Sequence, residues 1–178
     1  MKKISLLFII LFTGFSFFNL ASAENKKIKT DNHELNFYAG NFDFSDTGAH
    51  AIMYGVQHQN DDFFRNGFGK SFLKSKISPI TGGFITEKGG LYLYTGAQAE
   101  YDLGLFTITP SFAPGYYSAG DGKDLGYPLE FKTEVQVSLN LWDESTEFGM
   151  SYNHISNASM GNKNPGANSY IFNFLKEF

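Results

Sequence analysis

From Pro128 to Leu141 the chain reads PLEFKTEVQVSLNL, and its character changes at every step. Leu129, Phe131, Thr133, Val135, Val137, Leu139 and Leu141 share one parity, while Glu130, Lys132, Glu134, Gln136, Ser138 and Asn140 share the other. Successive side chains point to opposite faces only in an extended strand, so this run has one apolar face and one charged face. Strands of soluble domains are mostly about five or six residues long. A strand that crosses a lipid bilayer needs about ten residues of this same alternation.

The pattern recurs along most of the chain and predicts strands over 33–45, 49–59, 77–87, 91–102, 104–117, 128–141, 146–156 and 168–178. In Leu91–Tyr101 the apolar set is Leu91, Leu93, Ala97, Ala99 and Tyr101, opposed by Gln98 and Glu100. Turn signals separate the runs, among them Ser45-Asp-Thr-Gly48, Lys88-Gly-Gly90, Asp102-Leu-Gly104 and Ala119-Gly-Asp-Gly-Lys123. Asp61–Ser75 reads as a longer polar loop, with or without a short helix.

The chain also carries 20 Phe and 10 Tyr beside only 18% charged residues, more large rings than a domain of this size readily hides. An even number of strands can close on itself, which leaves no unpaired edge in lipid. The expected fold class is therefore all-β: an eight-stranded antiparallel transmembrane outer-membrane β-barrel. A soluble lipocalin-like barrel is the alternative, and it would place its apolar face inside. The ending Tyr170-Ile-Phe-Asn-Phe-Leu-Lys-Glu-Phe178 resembles the terminal strand by which bacterial outer-membrane barrels are recognised for assembly. Trp142 and the tyrosines near strand ends fit interfacial aromatic girdles.

The first residues, MKKISLLFIILFTGFSFFNLASA, combine two lysines, a short apolar run and Ala21-Ser-Ala23. They are expected to form a signal peptide over 1–23, cleaved after Ala23, leaving 24–178 as a single barrel domain. Cleavage removes Lys2 and Lys3 and no acid, so 14 basic residues fall to 12 against 18 acidic ones, a net charge near −6. That balance speaks against nucleic acid as a partner. Cysteine is absent, which excludes disulfides and thiolate metal sites. His33, His50 and His58 show no metal-ligand spacing and read as strand-end or lumen residues. Glu130, Lys132 and Glu134 read as ion pairs inside a barrel too narrow for a channel. No Gly-rich phosphate loop stands between a strand and a helix, and no cofactor is expected.

Near the carboxyl end the chain reads YNHISNASMGNKNPGANSY, from Tyr152 to Tyr170. In 146–156 Phe148, Met150, Tyr152, His154 and Ser156 share the apolar parity, so His154 and Ser156 belong to the lipid face. Two residues of one face lie about 7 Å apart along a strand, within reach once rotamers turn inward. Asn168 has the parity of Tyr170, Phe172, Phe174 and Phe178, and a hairpin through 157–167 would set it opposite His154. Polar groups on a lipid face are costly unless they sit at the interface or carry a task. A serine, an imidazole and an amide there suggest ester hydrolysis, with Ser156 as nucleophile, His154 as base and Asn168 as the residue that orients it.

His154-Ile-Ser-Asn-Ala158, followed by Asn164-Pro-Gly166, resembles the signature of the PagL-type lipid A 3-O-deacylases, also called acyloxyacyl hydrolases. Asp124-Leu-Gly-Tyr-Pro-Leu-Glu-Phe131 is similar to another block of that family. The resemblance implies an eight-stranded barrel in the bacterial outer membrane that hydrolyses the ester-linked 3-O-acyl chain of lipid A. It assigns nucleophile and base to Ser156 and His154, and offers Asn157 and Asn164 as oxyanion or substrate-binding residues. The expected partner is lipid A of the outer leaflet; whether the barrel forms a homodimer stays open.

In one place the chain departs from the pattern, where Asn168 occupies the position of a glutamate. Three outcomes follow: a slow hydrolase, one that recruits another acid, or an inactive structural or adhesion barrel derived from the family. Glu177 has the wrong parity, while Asp46, Asp61, Asp62 and Asp121 in loops remain candidates.

Overall fold

A computed structural model of the chain describes residues 33–60, 76–140 and 145–178. The expected signal peptide, the loop 61–75 with Asp61 and Asp62, and Trp142 lie outside these residues.

Eight strands appear among the described residues: β1 (His33–Phe42), β2 (Ala51–Asn60), β3 (Lys76–Thr86), β4 (Leu91–Asp102), β5 (Phe106–Ser118), β6 (Leu129–Asn140), β7 (Thr146–Ser156) and β8 (Ala167–Glu177). Each pairs antiparallel with its neighbours in sequence, and β8 pairs with β1 to close the barrel. At about 3.4 Å per residue and a tilt near 45°, ten residues rise roughly 24 Å, about the height of a bilayer's apolar band.

Which face is apolar decides the class, and the outside is apolar. Phe37, Val56, Leu93, Phe112, Val135, Met150 and Phe172 all project outward, Phe172 with 66% of its surface exposed. Inside lie Asn36, Gln57, Gln98, Gln136, Asn153 and Asn173, each buried. A lipocalin-like barrel would have the reverse. The protein is a transmembrane β-barrel of the outer-membrane type, as the strand alternation requires.

Much of the polar filling of the narrow lumen is hydrogen-bonded side chain to side chain. Asn36 Nδ2 donates to Asn173 Oδ1 at 2.9 Å, Gln57 Nε2 to Gln98 Oε1 at 3.0 Å, and Asn173 Nδ2 to Ser151 Oγ at 3.0 Å. Lys132 pairs with Glu134 at 3.2 Å and lies 4.1 Å from the centre of the Tyr94 ring. Glu130, fully buried, stands outside that pair, contrary to the sequence expectation. Toward one rim the filling turns aromatic, with Phe42 against Phe84 at 5.6 Å and against Tyr117 at 6.0 Å between ring centroids.

The loops at this aromatic rim are 43–50, 87–90, 119–128 and 157–166. Asn60 and Lys76, which bracket 61–75, end at the opposite rim. There His33 and His58, far apart in sequence, meet with Nδ1 and Nε2 2.9 Å apart.

Candidate active site

Strand register brings the first pair together. β7 and β8 pair with His154 directly opposite Asn168, and Tyr152 opposite Tyr170. All four side chains share the outward face, so the contact forms on the barrel's exterior beside the aromatic rim. His154 Nδ1 lies 2.8 Å from Asn168 Oδ1. The Tyr152 hydroxyl donates to the same oxygen at 2.8 Å. Ser156 follows on the same face, half-buried like His154, and ends β7. A Ser156–His154 hydrogen bond is not among those the described residues make; in ligand-free sites such contacts often close only around substrate.

The ring of His154 is bounded by the chain at Gly166. A Cβ placed there would stand 2.8 Å from His154 Cε1 and 3.4 Å from Nε2, and Gly166 has φ +61°. Both facts require glycine: the left-handed backbone disfavours a side chain, and the imidazole occupies the space one would fill. Phe44, Tyr152 and Tyr170 pack around the pair, with Phe44 and Tyr170 centroids 4.4 Å apart.

The two further asparagines play different parts. Asn157 is buried, and its side-chain Nδ2 donates to the carbonyls of Leu125 at 2.7 Å and Lys163 at 2.9 Å. Its amide is therefore committed to bracing the loops. Asn164 is exposed, and its Oδ1 accepts the backbone N–H of Asn157 at 3.0 Å, which turns its own NH₂ away from that bond. The loops are tied together further by Lys163 and Asp124 at 2.9 Å. That cation, with the Gly126 N–H at 2.8 Å, holds the Asp124 carboxyl below its ordinary range.

Behind Asn168 lies a carboxylate the sequence reading did not single out. β1 ends at Phe42, and the next residue, Asp43, turns inward with φ +53° and is fully buried. Its Oδ2 pairs with Lys123 Nζ at 2.6 Å. Its Oδ1 accepts from the Ser45 hydroxyl and from the Asn168 backbone N–H, at 3.3 and 3.4 Å. Asn168 Nδ2 in turn donates to Ser45 Oγ at 3.3 Å. Of the loop acids considered from sequence, Asp46 shares the Lys123 ammonium with Asp43, at 3.7 Å. Its carboxyl is lowered chiefly by the Gly48 N–H. Glu177 lies nine residues down β8, roughly 30 Å away at strand rise. Among the described residues no three His, Asp or Glu side chains converge as a metal site.

Fold and site together define a transmembrane β-barrel that carries a serine, an imidazole and an amide on its lipid-facing surface at one rim. Residues 83–176 match the family described as lipid A 3-O-deacylase (PagL), more than half of the chain, and the chain belongs to that family. The crystal structure of the outer membrane enzyme PagL is similar with a TM-score of 0.63 and 17% identity, covering 80% of this chain and 98% of that one. A structure from the de novo design of transmembrane β-barrels matches with a TM-score of 0.52 and 7% identity, over 86% and 100% of the two chains. Comparison with curated protein sequences gave no match. His154, Ser156, Asn157, Asn164 and Asn168 fall inside the family match; Asp43 and Ser45 fall outside it.

Proposed function

We propose that this chain is an exported outer-membrane esterase that removes the 3-O-acyl chain of lipid A, its signal peptide cleaved after Ala23. The observation that carries the reading is the 2.8 Å contact of His154 with Asn168, beside Ser156 on the lipid face of a barrel of this family. The acyl esters of lipid A lie in the outer leaflet, and a site on the barrel's outside meets them without extracting the lipid.

Ser156 Oγ attacks the ester carbonyl while His154 Nε2 takes its proton. The carbonyl oxygen becomes an oxyanion, for which the Asn164 NH₂ is the proposed donor. His154 then returns the proton to the sugar oxygen as it leaves. Water, deprotonated by the same nitrogen, attacks the acyl-enzyme; the acyl–Oγ bond breaks, Ser156 Oγ takes that proton back from His154, and the fatty acid is freed. Asn168 Oδ1 holds the Nδ1 proton throughout, but an amide does not offset the imidazolium charge as a glutamate would.

The inert structural barrel remains the second reading, favoured by one feature, the amide at position 168. Purified barrel in detergent, given lipid A, separates the two. Release of free 3-hydroxy fatty acid, lost in Ser156→Ala and His154→Ala variants with unchanged β-sheet circular dichroism, supports the esterase. No release from any form, with the barrel folded, would leave the structural reading standing.

A further inference from the structure

We propose that Asp43 and Ser45 are positioning residues for the His154 ring: through Ser45 Oγ they fix which end of the Asn168 side chain faces the imidazole. The inference deepens the esterase reading and rests on it. An amide has a donating end and an accepting end. Only the accepting oxygen, turned toward the ring, keeps the proton on Nδ1 and leaves Nε2 bare as a base. With the NH₂ turned inward, the proton moves to Nε2 and the base is lost. In a serine protease, exchange of the triad acid for its amide costs about 10⁴ in turnover through this wrong tautomer.

Here the ambiguity is removed from behind. The buried Asp43 carboxylate only accepts, so the Ser45 hydroxyl, 3.3 Å away, directs its hydrogen there. The Ser45 lone pairs then face Asn168 Nδ2, also at 3.3 Å. That commits the NH₂ end of Asn168 and leaves Oδ1 for His154 Nδ1. Tyr152 does not make this choice, because a hydroxyl can donate to oxygen or accept from nitrogen. The Phe44 N–H bond to the Asn168 carbonyl, at 3.0 Å, carries the β1–β8 pairing into the loop and holds Ser45 in place. Asp43 does not replace the missing negative charge, because Lys123 offsets it at 2.6 Å. Its contribution is direction. A glutamate at 168 would need none, since both of its oxygens accept.

Ser45 is exposed, so its replacement leaves the barrel filling untouched. The test compares Ser45→Ala and Ser45→Thr in the wild-type chain and in an Asn168→Glu background. Turnover on lipid A is one readout; the ¹⁵N shifts of the His154 ring, at a pH where it is neutral, are the other. In the wild-type chain Ser45→Ala should lower kcat about tenfold or more with KM little changed, by loss of tautomer control. Ser45→Thr should retain the rate, and in the Asn168→Glu background the alanine effect should vanish. The ring spectrum should show the Nδ1–H tautomer in the wild type and a mixture in Ser45→Ala. An equal loss in both backgrounds, or an unchanged tautomer in Ser45→Ala, overturns the proposal. If Ser156→Ala still released fatty acid, the esterase reading would fall, while the ring spectrum would still decide what Ser45 does.

Discussion

Gly166→Ala should disable the site without unfolding the barrel. The added Cβ would stand 2.8 Å from His154 Cε1, whereas ordinary contact begins at 3.4 Å. The difference, about 0.6 Å, falls on the ring, because the other partner is backbone in a β-hairpin and the imidazole can turn about χ1 and χ2. A misplacement of about 1 Å in a catalytic group can cost on the order of 10²-fold, so kcat should fall by about ten- to a hundredfold. That corresponds to about 1.4–2.7 kcal/mol of transition-state stabilisation. The left-handed backbone at φ +61° adds a separate stability cost of about 1 kcal/mol. Gly89→Ala supplies the control, since Gly89 has φ +75° but its Cβ would meet only the Gly120 Cα at 3.9 Å. Initial rates of fatty-acid release at saturating lipid A, with melting curves for both variants, separate the two effects. Full activity in Gly166→Ala, or an equal loss in Gly89→Ala, would refute a working role for the His154 ring at this position.

Three further outcomes are expected. Asn168→Glu should raise turnover about tenfold or more, read from the same release assay, because a carboxylate accepts from His154 and offsets its charge. Lys123→Met leaves the Asp43 carboxylate buried without its cation, a loss of about 3–5 kcal/mol when such a pair is broken. It should appear as faster proteolysis within 43–50. The Asp124 carboxyl is held low by Lys163, so its stabilising contribution is present above the ordinary carboxylate range and fades only as pH falls through the lowered value. Protection factors in 157–166, the exchange rates divided by their intrinsic values at each pH, should therefore hold at mildly acidic pH and fall below it, modestly, because both partners are exposed.

The strands were legible because a barrel in lipid leaves each residue one of two environments, and a period of two reports which. Val135 and Gln136 could be assigned to opposite faces from their positions alone. The same parity placed His154, Ser156 and Asn168 on one surface, and a single hairpin sets the register between them. What escaped depends on closure rather than pattern. Asp43 and Ser45 reach Asn168 only because β1 pairs with β8, across more than 120 residues of sequence. Continuing β1 to residue 45 would have turned Asp43 outward, whereas the strand stops at Phe42 and the left-handed turn at Asp43 buries it. A Phe-Asp-Phe-Ser-Asp-Thr-Gly run, rich in turn formers and in a residue type that tolerates positive φ, was the available signal. Asn157 looked like a ligand of the oxyanion, but its burial and two carbonyl partners make its side chain a brace between loops. Tyr152 passed as one more lipid-facing ring, since nothing in the pattern marks a hydroxyl that bends back to Asn168. His33 and His58 meet across neighbouring strands, a proximity that linear spacing does not encode.

The most direct test is mass spectrometry of lipid A from Gram-negative cells expressing the wild-type chain, beside cells expressing Ser156→Ala. Loss of one 3-hydroxyacyl group in the wild-type sample alone is the result expected of a Ser156-dependent deacylase. Identical spectra, with both proteins folded in the outer membrane, would contradict it.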